Sequence, residues 1–215
     1  MVDGVHLYVE GGGNDSDTRA RLREGLQHFL AELRERARNR RLRWNVTVCG
    51  GRDQAYRNFG RALSSQPNTF NVLLVDAEGP VDVRHRGRPW QHLRARDRWR
   101  RPATARDEHC HLMVQAMEAW LIADRERLEA RFGVAFVSRL PARRDVEEID
   151  KESLLRSLDA AFRQFGGRAR PGQYEKIEHA ARMFEVARPG EVRRVAGHCE
   201  RFFATIETVL GTPML

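Results

Sequence analysis

Three carboxylates at the ends of apolar runs are the residues of this chain best placed to do chemistry. Glu10 closes Leu7-Tyr8-Val9 and is followed by Gly11-Gly12-Gly13 and the helix-capping residues Asn14, Asp15, Ser16 and Asp17. Asp76 and Glu78 follow the nearly continuous apolar run Phe70-Asn71-Val72-Leu73-Leu74-Val75 and precede Gly79-Pro80. Open α/β sheets present their active groups at the carboxyl ends of strands, so both positions are where functional side chains belong. Two residues apart in an extended chain, Asp76 and Glu78 leave on the same side. If the strands ending at Glu10 and Asp76 are neighbours, three carboxylates meet in one crevice, and no basic residue adjoins any of them in sequence. Such a cluster repels itself unless a cation or a proton is supplied, and hard oxygen ligands favour Mg2+ or Mn2+. The glycines after Glu10 admit close backbone approach, and a helix amino terminus favours anions. Gly11 and Gly12 are therefore candidate nucleic-acid-binding positions.

The elements that must position these groups are legible from periodicity. Leu22, Leu26, Phe29, Leu30 and Leu33 follow helical spacing and predict one long amphipathic helix over residues 17–39. Trp44, Val46 and Val48 alternate with polar residues as in a strand, stopped by Gly50-Gly51. A helix is expected over 53–64, and the apolar run from Phe70 predicts a strand covered on both faces. Strand, helix, strand, helix, strand argues for an α/β architecture with a mostly parallel sheet and right-handed crossovers. An arginine-rich segment over 81–107 reads as a long irregular loop, which in a compact domain is usually functional. A fourth strand is expected over 109–114, a helix over 115–132, and then helices over 150–165, 173–187 and 191–210, the first capped by Asp150. The expected organisation is an α/β domain over 1–133 and a helical carboxyl-terminal extension over 134–215, packed on the same core.

Composition bounds the function. With 41% apolar residues the chain is an ordinary globule, and no segment approaches the roughly 18 apolar residues of a membrane span. No basic stretch followed by an apolar signal core opens the chain, so a cytoplasmic location is expected. Cys49, Cys110 and Cys199 show neither paired nor zinc spacing, which fits a reducing compartment. The net charge is +8, and Lys151 and Lys176 are the only lysines among 38 cationic residues. Arginine's planar fork suits phosphate, so the basicity is either a solvated surface or the footprint of a polyanion partner.

Four blocks in order resemble one family. They are Tyr8-Val9-Glu10-Gly11-Gly12-Gly13, Leu74-Val75-Asp76-Ala77-Glu78-Gly79-Pro80, Pro89-Trp90-Gln91-His92-Leu93, and His111 through Trp120. Together they resemble domain-of-unknown-function family 4276, and the glutamate-glycine motif with a later acidic-x-acidic pair is similar to the TOPRIM domain of topoisomerases, primases and small nucleases. The resemblance implies a TOPRIM-like fold and a metal-dependent nuclease acting on DNA or RNA. It also implies an ATPase partner, as for small TOPRIM proteins of phage-defence gene sets. Carried over by position, Glu10 acts as acid or base or joins the metal shell, while Asp76 and Glu78 hold the metal. The usual second member of the pair is aspartate, and Glu78 is one methylene longer. Topoisomerase activity is not expected of so short a chain, nor primase activity without a zinc ribbon. The reading from a different class is a non-catalytic subunit that docks on an ATPase, and a homo-oligomer is a further possibility.

Further candidates stand beside this centre. Glu118 is either a fourth metal ligand or a solvated helix residue. Lys176 is either a catalytic cation that stabilises a phosphorane-like transition state or a surface lysine, and Lys151 has less in its favour. Trp90, His92 and Arg94 are candidate nucleic-acid contacts, since arginines interleaved with Trp90 and Trp99 suit base stacking. The rival reading is that the tryptophans anchor the loop onto the core. His109-Cys110-His111 lacks the further ligands of a zinc site.

Overall fold

The structure is a computed structural model that describes residues 2–163 and 176–211, apart from the side chains of residues 176–178. The chain runs β1 (Gly4–Val9), α1 (Ser16–Phe29), α2 (Ala31–Asn39), β2 (Arg43–Val48), α3 (Arg52–Ser65) and β3 (Thr69–Asp76). It continues with α4 (Pro89–Asp97), β4 (Cys110–Met113), α5 (Met117–Leu121), α6 (Arg125–Phe132) and α7 (Val134–Val137). The last described elements are α8 (Lys151–Phe162), α9 (Lys176–Val186), α10 (Pro189–Val195) and α11 (Gly197–Leu210).

The four strands form one parallel sheet in the order β2-β1-β3-β4. Strand period two sorts the side chains between two apolar layers. Val5, Leu7 and Val9 of β1 and Phe70, Val72 and Leu74 of β3 enter a large core with α1, α2 and the carboxyl-terminal helices. Tyr8, Leu73 and Val75 face a smaller core with Ala55 and Phe59 of α3 and Trp90 and Leu93 of α4. Every residue of β3 is buried, which is why its apolar run is continuous rather than alternating. No described helix is long and apolar enough to cross a membrane.

The α/β class and its parallel sheet follow the sequence expectation, and several helices are broken where one was expected. The helix over 17–39 divides at Leu30, where φ −98° and ψ 17° interrupt the helix while Leu30 and Leu33 stay buried. The helix over 115–132 divides at Ile122–Asp124, and the last helix divides at Ala196. The expected loop over 81–107 contains α4, which periodicity missed because its buried residues, Pro89, Trp90, His92 and Leu93, are interleaved with polar ones. Asp150 does cap α8, accepting the Ser153 amide at 2.9 Å. The carboxyl-terminal helices share the large core: Phe184 of α9 and Phe203 of α11 both meet Phe29, with ring centroids 5.3 and 5.7 Å away.

Candidate metal centre

Parallel pairing of β1 with β3 puts their carboxyl ends side by side. The Glu10 amide donates to Leu74 O at 3.0 Å and the Gly11 amide to Gly50 O at 2.8 Å. Glu10 is thereby fixed between its two neighbouring strands. Asp76 ends β3, and its Oδ1 accepts the Met117 amide at 2.8 Å. Pairing continues past the strand, with the Ala77 amide on Met113 O and the Glu78 amide on Gln115 O, both at 2.8 Å. The chain turns away at Glu78, which sits in the left-handed region at φ 65°. Oxygens of Glu10, Asp76 and Glu78 all lie within 4.8 Å of one another, the convergence the sequence required of adjacent strands.

Cations remote in sequence surround this cluster. Arg52, at the start of α3, donates Nη1 to Glu10 Oε2 at 2.9 Å and to Asp76 O at 2.6 Å. Its Nε and Nη2 grip the Asp97 carboxylate of α4 at 2.9 and 2.8 Å. The fork geometry of arginine thus ties β1, β3, α3 and α4 together. Lys151 Nζ lies 2.5 Å from Glu78 Oε1 and 3.9 Å from Asp76 Oδ2, and Arg96 lies 3.6 Å from Glu78 Oε2. Burial and the neighbouring Asp76 push the Glu10 carboxyl up to about 7, outweighing Arg52 and the Asp76 amide that hold it down. Burial also raises Glu78, but its bond to Lys151 and the nearby arginines bring it below the usual range.

This donor set fits a hard divalent cation. It offers three carboxylates from two adjacent strand ends, and Glu10 is raised by burial first and by the neighbouring Asp76 second. Glu118 is not one of the converging three; it is fully buried on α5, so it is not a solvated helix residue either. Lys176 opens α9, and its side chain lies outside the described residues.

The nucleic-acid candidates are redistributed. Trp90 is 4% exposed, donates Nε1 to Arg106 O at 2.9 Å and packs against Phe59, so its ring is unavailable to stack a base. His92 is buried too, and its Nε2 donates to Ala77 O at 2.9 Å, which holds the Asp76–Glu78 segment in place. Both serve the packing role that sequence reading left as the rival. Arg94 is exposed. Gly11 and Gly12 have φ 135° and 85°, and a Cβ on either would run into Leu22 or Arg19 of α1, so the close approach they permit is to this helix.

Arg52, Asp97 and Lys151 are the participants that sequence reasoning passed over or ranked low. Arg52 had a signal, since it follows Gly50-Gly51 at the carboxyl end of β2, on the same sheet edge as Glu10. Asp97 had none. Lys151 carried only its rarity.

These features define a class: a parallel α/β protein with a cation-bridged carboxylate centre at the carboxyl edge of its sheet. Residues 9–207 match the family described as Domain of unknown function (DUF4276), and the chain belongs to that family. No curated protein and no solved structure matches the chain.

Proposed function

We propose that the chain is a TOPRIM-like, metal-dependent phosphodiester hydrolase acting on DNA or RNA. The observation that carries this reading is the convergence of Glu10, Asp76 and Glu78 within 4.8 Å. Asp76 and Glu78, with Glu10, would hold Mg2+ or Mn2+. When bound, such a cation withdraws charge from a phosphoryl group and lowers the pKa of water. Glu10 Oε2 is occupied by Arg52 and the Asp76 amide, so Oε1 is the atom left to accept or return a proton, and a pKa of about 7 suits that exchange at neutral pH. Arg52 orients that carboxylate, and His92 fixes the segment bearing the other two. The resemblance to small TOPRIM proteins extends the proposal to a cytoplasmic effector working with an ATPase in anti-phage defence.

The test is calorimetric titration of Mg2+ and Mn2+ into the wild type and Asp76→Asn, with folding checked by circular dichroism. Asparagine keeps the acceptor for the Met117 amide, so the variant should fold. Binding lost in folded Asp76→Asn supports the centre; absent or equal binding in both proteins sinks it. One observation favours a second reading: Lys151 and Arg52 already pair with the carboxylates. A centre balanced without metal would suit a non-catalytic subunit docking on an ATPase.

A further inference from the structure

The helix that buttresses the carboxylate centre also borders a second feature, a groove of about 750 Å3 between it and the segment that follows. Arg94, Arg98, Arg100 and Arg101 line it, together with Trp90 and Trp99 and a single carboxylate, Asp107. All four arginines are exposed, and none of them makes an ion pair among the described residues. This separates them from Arg36, Arg43, Arg52, Arg96, Arg188 and Arg193, each matched to a carboxylate. Unpaired guanidiniums clustered in a concavity are a phosphate-binding arrangement, because the fork donates two parallel hydrogen bonds to an anionic oxygen pair.

From these residues we infer that the groove binds the phosphate backbone of a nucleic acid strand. The groove and the centre share α4: Arg94 and Arg98 face the groove, while Arg96 and Asp97, between them in the chain, reach Glu78 and Arg52. The mode of recognition follows from the walls. Trp99 is stacked on Tyr56 at 4.4 Å and covered by the Arg52 guanidinium, and Trp90 is packed on Phe59, so neither indole offers a free face to a base. Contact is therefore ionic, to backbone rather than base, and independent of sequence. The inference rests on the proposed polymer substrate, but backbone binding itself needs no metal, which allows the two to be tested apart.

The measurement is fluorescence anisotropy of labelled 20-nucleotide DNA and RNA of mixed sequence, titrated with full-length protein in EDTA between about 50 and 200 mM salt. Three proteins are compared: wild type, the groove variant Arg94→Gln/Arg98→Gln/Arg100→Gln/Arg101→Gln, and a control that replaces Arg23, Arg34, Arg38 and Arg41 by Gln. The control removes the same charge from α1, α2 and the turn after α2, elements packed on the opposite face of the sheet from α4. The expected result is binding by wild type and control alike, with a steep salt dependence. The groove variant should bind at least about tenfold more weakly, with a log–log salt slope shallower by roughly 3, about 0.7 for each of the four arginine–phosphate pairs removed from a single strand. The milder pair Arg94→Gln/Arg101→Gln should give about half that change in slope, which guards against a folding defect in the fourfold variant. Equal weakening of groove variant and control would mean that net charge alone attracts the polymer and would overturn the inference, as would no binding by the wild type. Failure here with intact metal binding would leave the carboxylate centre standing; the reverse pattern would remove the centre and keep the groove.

Discussion

Glu10 is held by a contradiction: Arg52 and the Asp76 amide both donate to Oε2, while burial and the Asp76 carboxylate resist its ionisation and bring its pKa to about 7. A glutamate in the unfolded chain titrates near 4.3. Between these values the folded chain holds the proton more tightly, so Glu10 adds stability at acid pH that is lost as pH rises toward 7. His92 and His111, whose pKa values are lowered by burial, act in the opposite sense over part of the same window. The measurable quantity is therefore the difference between wild type and Glu10→Gln in urea unfolding without metal. The wild type should lose on the order of 3 kcal/mol relative to the variant between pH 4.5 and 7.5. A flat difference across that window would mean that Glu10 ionises normally. That Glu10, Asp76 and Glu78 belong together was readable from their places after apolar runs. The cations around them were not, because ion pairs between residues 18 and more apart in sequence leave no local pattern.

At the level of elements, Lys151 shows how a helix start can serve a distant site. Asp150 caps α8 and so directs the next residue, Lys151, toward Glu78 and Asp76. A primary ammonium there competes with any divalent cation for the same oxygens. Replacing Lys151 by Met should destabilise the metal-free fold by about 1–3 kcal/mol, since a pair only 19% and 23% exposed at its side chains loses one partner and leaves the Glu78 carboxylate uncompensated. Its Mg2+ affinity should rise roughly tenfold, equivalent to about 1.4 kcal/mol. Calorimetry reads this directly, and a weaker affinity in Lys151→Met would show that the lysine supports the bound state instead. α4 illustrates the opposite failing of sequence reading. Its tryptophans sit among arginines, a pattern common to base-stacking surfaces and to anchors, and only the packing of Trp90 on Phe59 and Trp99 on Tyr56 separates the two.

Across the whole molecule, the amino-terminal sheet and the later helices are joined through one core. Gly25 of α1 is buried against α9, where an added Cβ would lie 2.8 Å from Ala181 O and 3.2 Å from Phe184 Cβ. Gly25→Ala should therefore destabilise the protein by about 1–3 kcal/mol despite alanine's better helix propensity. Gly60 of α3 is also helical but has nothing within 4 Å of such a Cβ, and Gly60→Ala should stabilise by about 0.5–1 kcal/mol. Thermal unfolding of the two variants side by side tests the packing of α1 on α9, because propensity alone would move both in the same direction.

The sequence by itself determined the α/β class, the strands and the three carboxylates, because strand periodicity, buried apolar runs and residues at strand ends are local properties of the chain. Helix breaks at Leu30 and Ala196 escaped it, since the apolar spacing continues across both. The strand order β2-β1-β3-β4 was decided by tertiary pairing, and with it the meeting of Glu10 with Asp76. So were the recruitment of Arg52, Asp97 and Lys151 and the burial of Trp90, His92 and Glu118. Those outcomes depend on which faces pack together, and a side chain's partners and exposure exist only once distant segments have enclosed it.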